Sequence, residues 1–195
     1  MKNTFKFLLL LLSLICFDFK LRAQDVYKGN PWLISFGGNL IIEDGSQFKG
    51  YINNEPIKWN LSPFTFGAEK RLNNGFALAG NIGSNIFPEK QKISNESLKT
   101  SSDVIFIDFY AKYNFNAILK DTSNFDPFLE IGPGYMFKKG QNATSINLCF
   151  GFNYWINNKF AIAAAAAYKF GLIYAPDAQK DNLFHMNVML IQIID

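Results

Sequence analysis

The chain has 195 residues, with 19 Lys and Arg against 16 Asp and Glu, a nominal net charge of +3. Four of the basic residues (Lys2, Lys6, Lys20 and Arg22) and one acid (Asp18) lie in residues 1–23, so the remainder carries 15 of each and is neutral. Nothing in that balance argues for nucleic acid, and the length is that of one domain.

Lys2 and Lys6 precede an apolar run of 11 residues, 7–17, and then Leu21-Arg22-Ala23. This is the pattern of a secretory signal peptide, too short to span a bilayer as a helix. Cleavage after Ala23 leaves a mature chain of residues 24–195. A lipoprotein would be acylated at Cys16, but Ile15 stands where a small residue is needed. The remaining cysteine, Cys149, has no partner for an intramolecular disulfide and reads as a small buried filler.

From residue 34 onward, apolar and small or polar residues alternate with a period of two in eight stretches: 34–42, 64–71, 76–86, 105–115, 129–137, 146–154, 160–170 and 184–190. Period two puts alternate side chains on opposite faces of a β-strand. In 105–115 one face carries Ile105, Ile107, Phe109, Ala111, Tyr113 and Phe115, and the other Phe106, Asp108, Tyr110, Lys112 and Asn114. In 160–170 one face includes Phe160, Ile162, Tyr168 and Phe170, and the other Ala161, Ala163, Ala165, Ala167 and Lys169. An even strand number with this alternation predicts an all-β fold, an eight-stranded antiparallel up-and-down transmembrane β-barrel. Volume decides which face is outside. An eight-stranded barrel has an interior just wide enough for side chains, and the aromatic faces would overfill it. The aromatics therefore face out, onto lipid rather than water.

Tight turns of the Asn/Gly kind are expected at 73–75 and 157–159, with a longer link at 116–126. The alternate connections, 43–58, 88–103, 138–143 and 171–182, are polar and mostly long. Short turns on one side and long loops on the other match the periplasmic and outer faces of an outer-membrane barrel. Pro133 inside a strand removes a ladder donor and predicts a bulge.

Two stretches carry a family resemblance. Phe125-Asp126-Pro127-Phe128-Leu129-Glu130-Ile131-Gly132-Pro133-Gly134-Tyr135 resembles the fifth strand, and Gly151-Phe152-Asn153-Tyr154-Trp155-Ile156 the sixth, of the small outer-membrane β-barrel proteins. From Pro31 onward the chain is similar to the barrel domain of outer-membrane protein A. The resemblance implies outer-membrane location, surrounding lipid, the barrel-assembly machinery as a partner during biogenesis, and a role as anchor, adhesin, narrow pore or secretion accessory. The chain departs from that pattern by ending Ile193-Ile194-Asp195 rather than on an aromatic.

Inward chemistry is confined to a lumen set of Glu69, Asp108, Lys112, Glu130 and Lys169, with Arg71 near the periplasmic rim. Charges in a narrow barrel must pair to offset their burial, with Asp108 or Glu130 the expected partner of Lys112. The set reads as an ion-pair plug, with a gate as the sharper reading. Lipid A deacylation by small barrels uses a His and a Ser two positions on, whereas His185 is followed by Met186 and Asn187. His185 is expected near the membrane border. No enzyme activity, cofactor or metal site is predicted. The expected function is a structural or surface-interaction protein with a plugged or very narrow lumen, meeting a surface ligand or envelope protein at loops 43–58 and 88–103. A small-solute or ion pore, a secretion accessory and a periplasmic binding barrel are the alternatives.

Overall fold

The computed structural model describes residues 30–43, 61–87, 92–93, 96–97, 102–119, 124–138, 141–174 and 180–194. The leader 1–23, most of loop 43–58 and parts of loops 88–103, 116–126, 138–143 and 171–182 lie outside the described residues. Eight long strands close an antiparallel barrel: β1 (Trp32–Glu43), β2 (Leu61–Arg71), β3 (Phe76–Phe87), β6 (Ser102–Asn114), β7 (Phe125–Lys138), β8 (Gln141–Trp155), β9 (Phe160–Tyr174) and β10 (Lys180–Ile194). A two-stranded pair, β4 (Lys92–Ile93) with β5 (Glu96–Ser97), lies within the 88–103 connection. Each long strand pairs with its neighbour in the chain, and β1 closes against β10.

The strands outrun the alternating stretches in the sequence. β7 begins at Phe125, so Asp126 belongs to a strand rather than to the 116–126 link, whose first residues form a short helix, α1 (Asn116–Leu119). At the loop end, β7 reaches Lys138 and β8 starts at Gln141. The 138–143 loop is thereby reduced to a hairpin connection. Hydrogen bonding to a neighbour extends these strands past the point where composition stops alternating.

Pro133 produces no bulge. The β7–β8 register runs through it without a shift, Pro133 opposite Ile146. Against β6 the register is the same before and after, from Asp108–Gly134 to Ala111–Ile131, and only the intervening pairings lapse. The missing N–H interrupts the ladder without inserting a residue. Register shifts occur instead at Leu61/Phe64, Thr144/Ile146 and Asp181/Leu183.

Closure staggers the sheet. Followed across paired residues, Trp32 leads to Lys70, Leu78, Ala111, Ile131, Leu148, Tyr168 and Phe184, and back to β1 at Ile42, a stagger of ten residues. Such a shear tilts the strands and lets the barrel close.

The outward face is apolar. Phe36, Phe109 and Phe150 are 63%, 61% and 59% exposed, and Phe64, Phe66, Phe76, Phe137, Phe152 and Phe170 share this face. The inward positions of β6 (Phe106, Asp108, Tyr110, Lys112, Asn114) and of β9 (Ala161, Ala163, Ala165, Ala167, Lys169) are all buried. A soluble barrel would invert this arrangement.

At the turn end, Asn73–Gly75 forms a single 3-10 turn in which Asn74 (φ 60, ψ 31) and Gly75 (φ 84) are left-handed. A Cβ on Gly75 would lie 2.6 Å from the Ala117 Cβ and 2.7 Å from the Asn114 carbonyl oxygen. Gly75→Ala should therefore cost about 1–3 kcal/mol in reversible urea unfolding, whereas Asn74→Gly should be near neutral. Equal, small effects at both positions would contradict this account of the turn. The second turn is held by Asn157, whose Oδ1 accepts from the N–H groups of Lys159 and Phe160, both at 2.8 Å.

Candidate functional site

Polar side chains cross the lumen at successive heights. Nearest the turn end, Arg71 of β2 is fully buried, with Nε 3.1 Å from Glu69 Oε1 and Nη2 3.3 Å from Asp126 Oδ2. Its guanidinium lies 5.3 Å from the centroid of the buried Trp155 ring. Asn153 also donates to Asp126 Oδ2, at 3.3 Å. One step higher, Lys112 of β6 has Nζ 2.7 Å from Glu69 Oε2 and 3.4 Å from Glu130 Oε1. The same ammonium sits 3.7 Å from the centre of the Phe128 ring, a cation–π contact in a desolvated setting. β3 separates β2 from β6 in the sheet, so the Glu69–Lys112 pair is a cross-lumen tie rather than a contact between neighbouring strands.

A second ionic group lies toward the loop end. Lys169 of β9 places Nζ 2.6 Å from both carboxylate oxygens of Asp108 on β6. Asn147 of β8 donates to Asp108 Oδ1 at 2.8 Å and accepts at Oδ1 from Ser145 Oγ at 2.7 Å. The facing wall is neutral. Asn39 donates to Thr65 Oγ1 at 2.8 Å and to the Phe64 carbonyl at 2.7 Å, Asn85 donates to Asn39, and Thr65 donates to Asn187 at 3.4 Å. Above both, Ile41, Val104, Phe106, Met136, Ala143 and Leu183 form an apolar layer inside the barrel.

The five charged residues singled out in the sequence thus fall into two groups, Glu69, Lys112 and Glu130 in one and Asp108 and Lys169 in the other. Lys112 pairs with Glu130 but not with Asp108, the other partner expected from its place on β6. Asp108 lies four residues, two repeats of the pleat, toward the loop end, where Lys169 reaches it across the barrel. His185 is a correction. It is buried in the lumen, edge-on to Phe106 with ring centroids 4.6 Å apart, not at the membrane border. Its even spacing from the inward Leu183 and Asn187 was the signal for that. Alternation alone marks Asn39, Thr65, Asn85 and Asn187 as inward without marking them as a hydrogen-bonded set, and Asp126 lies before the alternating stretch of β7.

Between these layers the described residues line at least two small cavities. One of about 30 Å³ is lined by Glu69, Tyr110, Lys112, Glu130, Cys149 and Asn153 among others. A second, about 10 Å³, lies among Phe106, Asp108, Ser145 and Lys169. The first has room for a water or two, and the second for about one.

The fold has counterparts among solved structures. Neisserial surface protein A superposes with a TM-score of 0.58 at 12% identity, over 84% of this chain and 97% of that one. The N-terminal β-barrel domain of Pseudomonas aeruginosa OprF superposes with a TM-score of 0.51 at 13% identity, over 83% and 97% of the two chains. No family model matches the chain, and no curated protein sequence does. These likenesses are of fold, and the fold is that of the small eight-stranded outer-membrane barrels.

Proposed function

We propose that this protein resides in the outer membrane as a plugged, non-enzymatic barrel, a structural or surface-interaction protein that presents its long connections outside the cell. In this reading residues 1–23 are removed as a secretory leader and residues 24–195 make up the barrel domain. The turn end faces the periplasm, and the loops at 43–58 and 88–103 meet a surface ligand or an envelope protein. The barrel-assembly machinery inserts the chain. The observation that carries the reading is the stack of cross-lumen ties closed by an apolar layer, with small cavities of about 30 and 10 Å³ between them among the described residues. The outward phenylalanines supply the lipid-facing belt. The lumen acids are engaged by Lys112, Lys169 and Arg71, which leaves them poorly placed for acid–base chemistry on a substrate.

The test is conductance. Protein extracted by detergent from outer membranes, with its N-terminus at Gln24, should show little or no steady current in planar bilayers. On gels it should migrate differently before and after boiling, since a closed barrel has no edge from which to fray. Steady ohmic conductance by the wild type would replace the plug with a small-solute or ion pore. Recovery of the chain in the soluble periplasmic fraction would overturn the membrane reading itself.

A further inference from the structure

At Gly132-Pro133-Gly134 of β7, Pro133 faces outward with Ile131, while Gly132 and Gly134 fall in step with the inward Glu130 and Met136. A Cβ on Gly132 would overlap the Phe109 carbonyl oxygen, and one on Gly134 would overlap Asp108 Oδ1 in the lumen. Both glycines relieve contacts with the β6 backbone and the lumen side chains, on the inner side of the wall. On the β6 side, pairing lapses opposite Pro133. On the far side of β8, the ladder to β9 shifts between Thr144 and Ile146. Both interruptions lie at one height, because Pro133 pairs with Ile146 and Tyr135 with Thr144. The two interrupted ladders coincide with a depression on the outer face. It is a groove of about 680 Å³, with the rings of Phe109, Tyr135, Phe137 and Phe170 around Pro133 and Thr144.

We propose that this groove holds an acyl chain of a bilayer lipid drawn from the leaflet at the loop end. No charged side chain lines it, and its size falls within the range of pockets that bind small ligands. It is continuous with the belt of outward phenylalanines, so the medium that covers the belt also fills the groove. On a convex stretch of the belt a lipid chain touches protein on one side only. In the groove it meets aromatic rings on several sides, and many small dispersion contacts add up. The chain bound here exchanges more slowly than lipid around the rest of the barrel. The space is bounded by outward side chains of β6, β7, β8 and β9 around the two interrupted ladders.

The inference rests on the lipid-facing reading of the outer surface, and the experiment separates the two. Wild type, Thr144→Trp, Ile146→Trp and, as a control on β10 outside the groove, Val188→Trp are placed in phosphatidylcholine bilayers containing a phosphatidylcholine spin-labelled near its chain end. Insertion is read from the heat-dependent gel shift, and slow lipid from the motionally restricted spectral component. All forms should show restricted boundary lipid from the belt; wild type and Val188→Trp should carry a further, more slowly exchanging fraction, and both groove variants should lose that fraction. Groove variants that insert and keep that fraction would overturn the proposal while leaving the membrane reading intact. Failure of the wild type to insert would overturn the membrane reading and the lipid occupant with it. A disulfide-linked dimer formed by Thr144→Cys in bilayers would assign the groove to a second copy of this chain and also overturn the proposal.

Discussion

Replacing Lys112 with Met should destabilise the barrel by about 3–5 kcal/mol, the usual cost of removing one partner from a buried ion pair. Lys112 holds Glu69 at 2.7 Å and Glu130 at 3.4 Å, and its ammonium is stacked on Phe128. After the substitution Glu69 retains Arg71, but Arg71 is already shared with Asp126. Two buried carboxylates are then undercompensated, and water entry is the available relief. The double variant Lys112→Met/Glu130→Gln removes one base and one acid together. It should recover more than half of the loss, a non-additivity expected of groups in one network. Reversible urea unfolding in lipid vesicles gives the free energies, and bilayer recordings should show more current from the single variant than from the wild type or the double. A single variant as stable and as silent as the wild type would remove the ionic ties from the account of the plug.

The second large effect belongs to the other face. Phe109→Arg should cost about 2–4 kcal/mol, the penalty for a basic residue on the lipid face near the bilayer midplane. Phe109 is 61% exposed, lies midway along β6 and faces Gly80 across the β3–β6 ladder, far from either end of the strand. Phe152→Arg should cost less, because that residue is three positions from the end of β8 at Trp155 and a long side chain can reach the interface. Ala163→Arg provides the contrast. Its site is inside the barrel and 1% exposed, so the damage comes from overpacking a filled lumen and from added charge rather than from lipid. Harmless substitution at Phe109 and Phe152 in bilayer unfolding would mean that the faces are reversed.

How much of this could be read before folding differs between the faces and the pairings. Glu69, Asp108, Lys112, Glu130 and Lys169 were legible as inward residues, and Phe36, Phe109 and Phe150 as outward ones. Alternation is a local property of the extended backbone, with successive Cβ atoms pointing to opposite faces whatever the rest of the chain does. The strand count followed from the same signal. Where strands end did not, because Asp126 and Gln141 extend β7 and β8 through hydrogen bonds to partners rather than through their own composition. Pro133 likewise showed that a donor would be missing, but not whether the neighbours would take up an extra residue. The partners of the lumen charges were the least legible. Asp108 and Lys112 lie on one strand face four residues apart, yet one is bound by β9 and the other by β2 and β7. That choice depends on the ten-residue stagger from Trp32 to Ile42, which sets the height at which each inward side chain meets those across the barrel. The face of each residue is therefore written in its immediate neighbours. Its partner is decided only at closure, when the sum of all the ladders fixes tilt and height together.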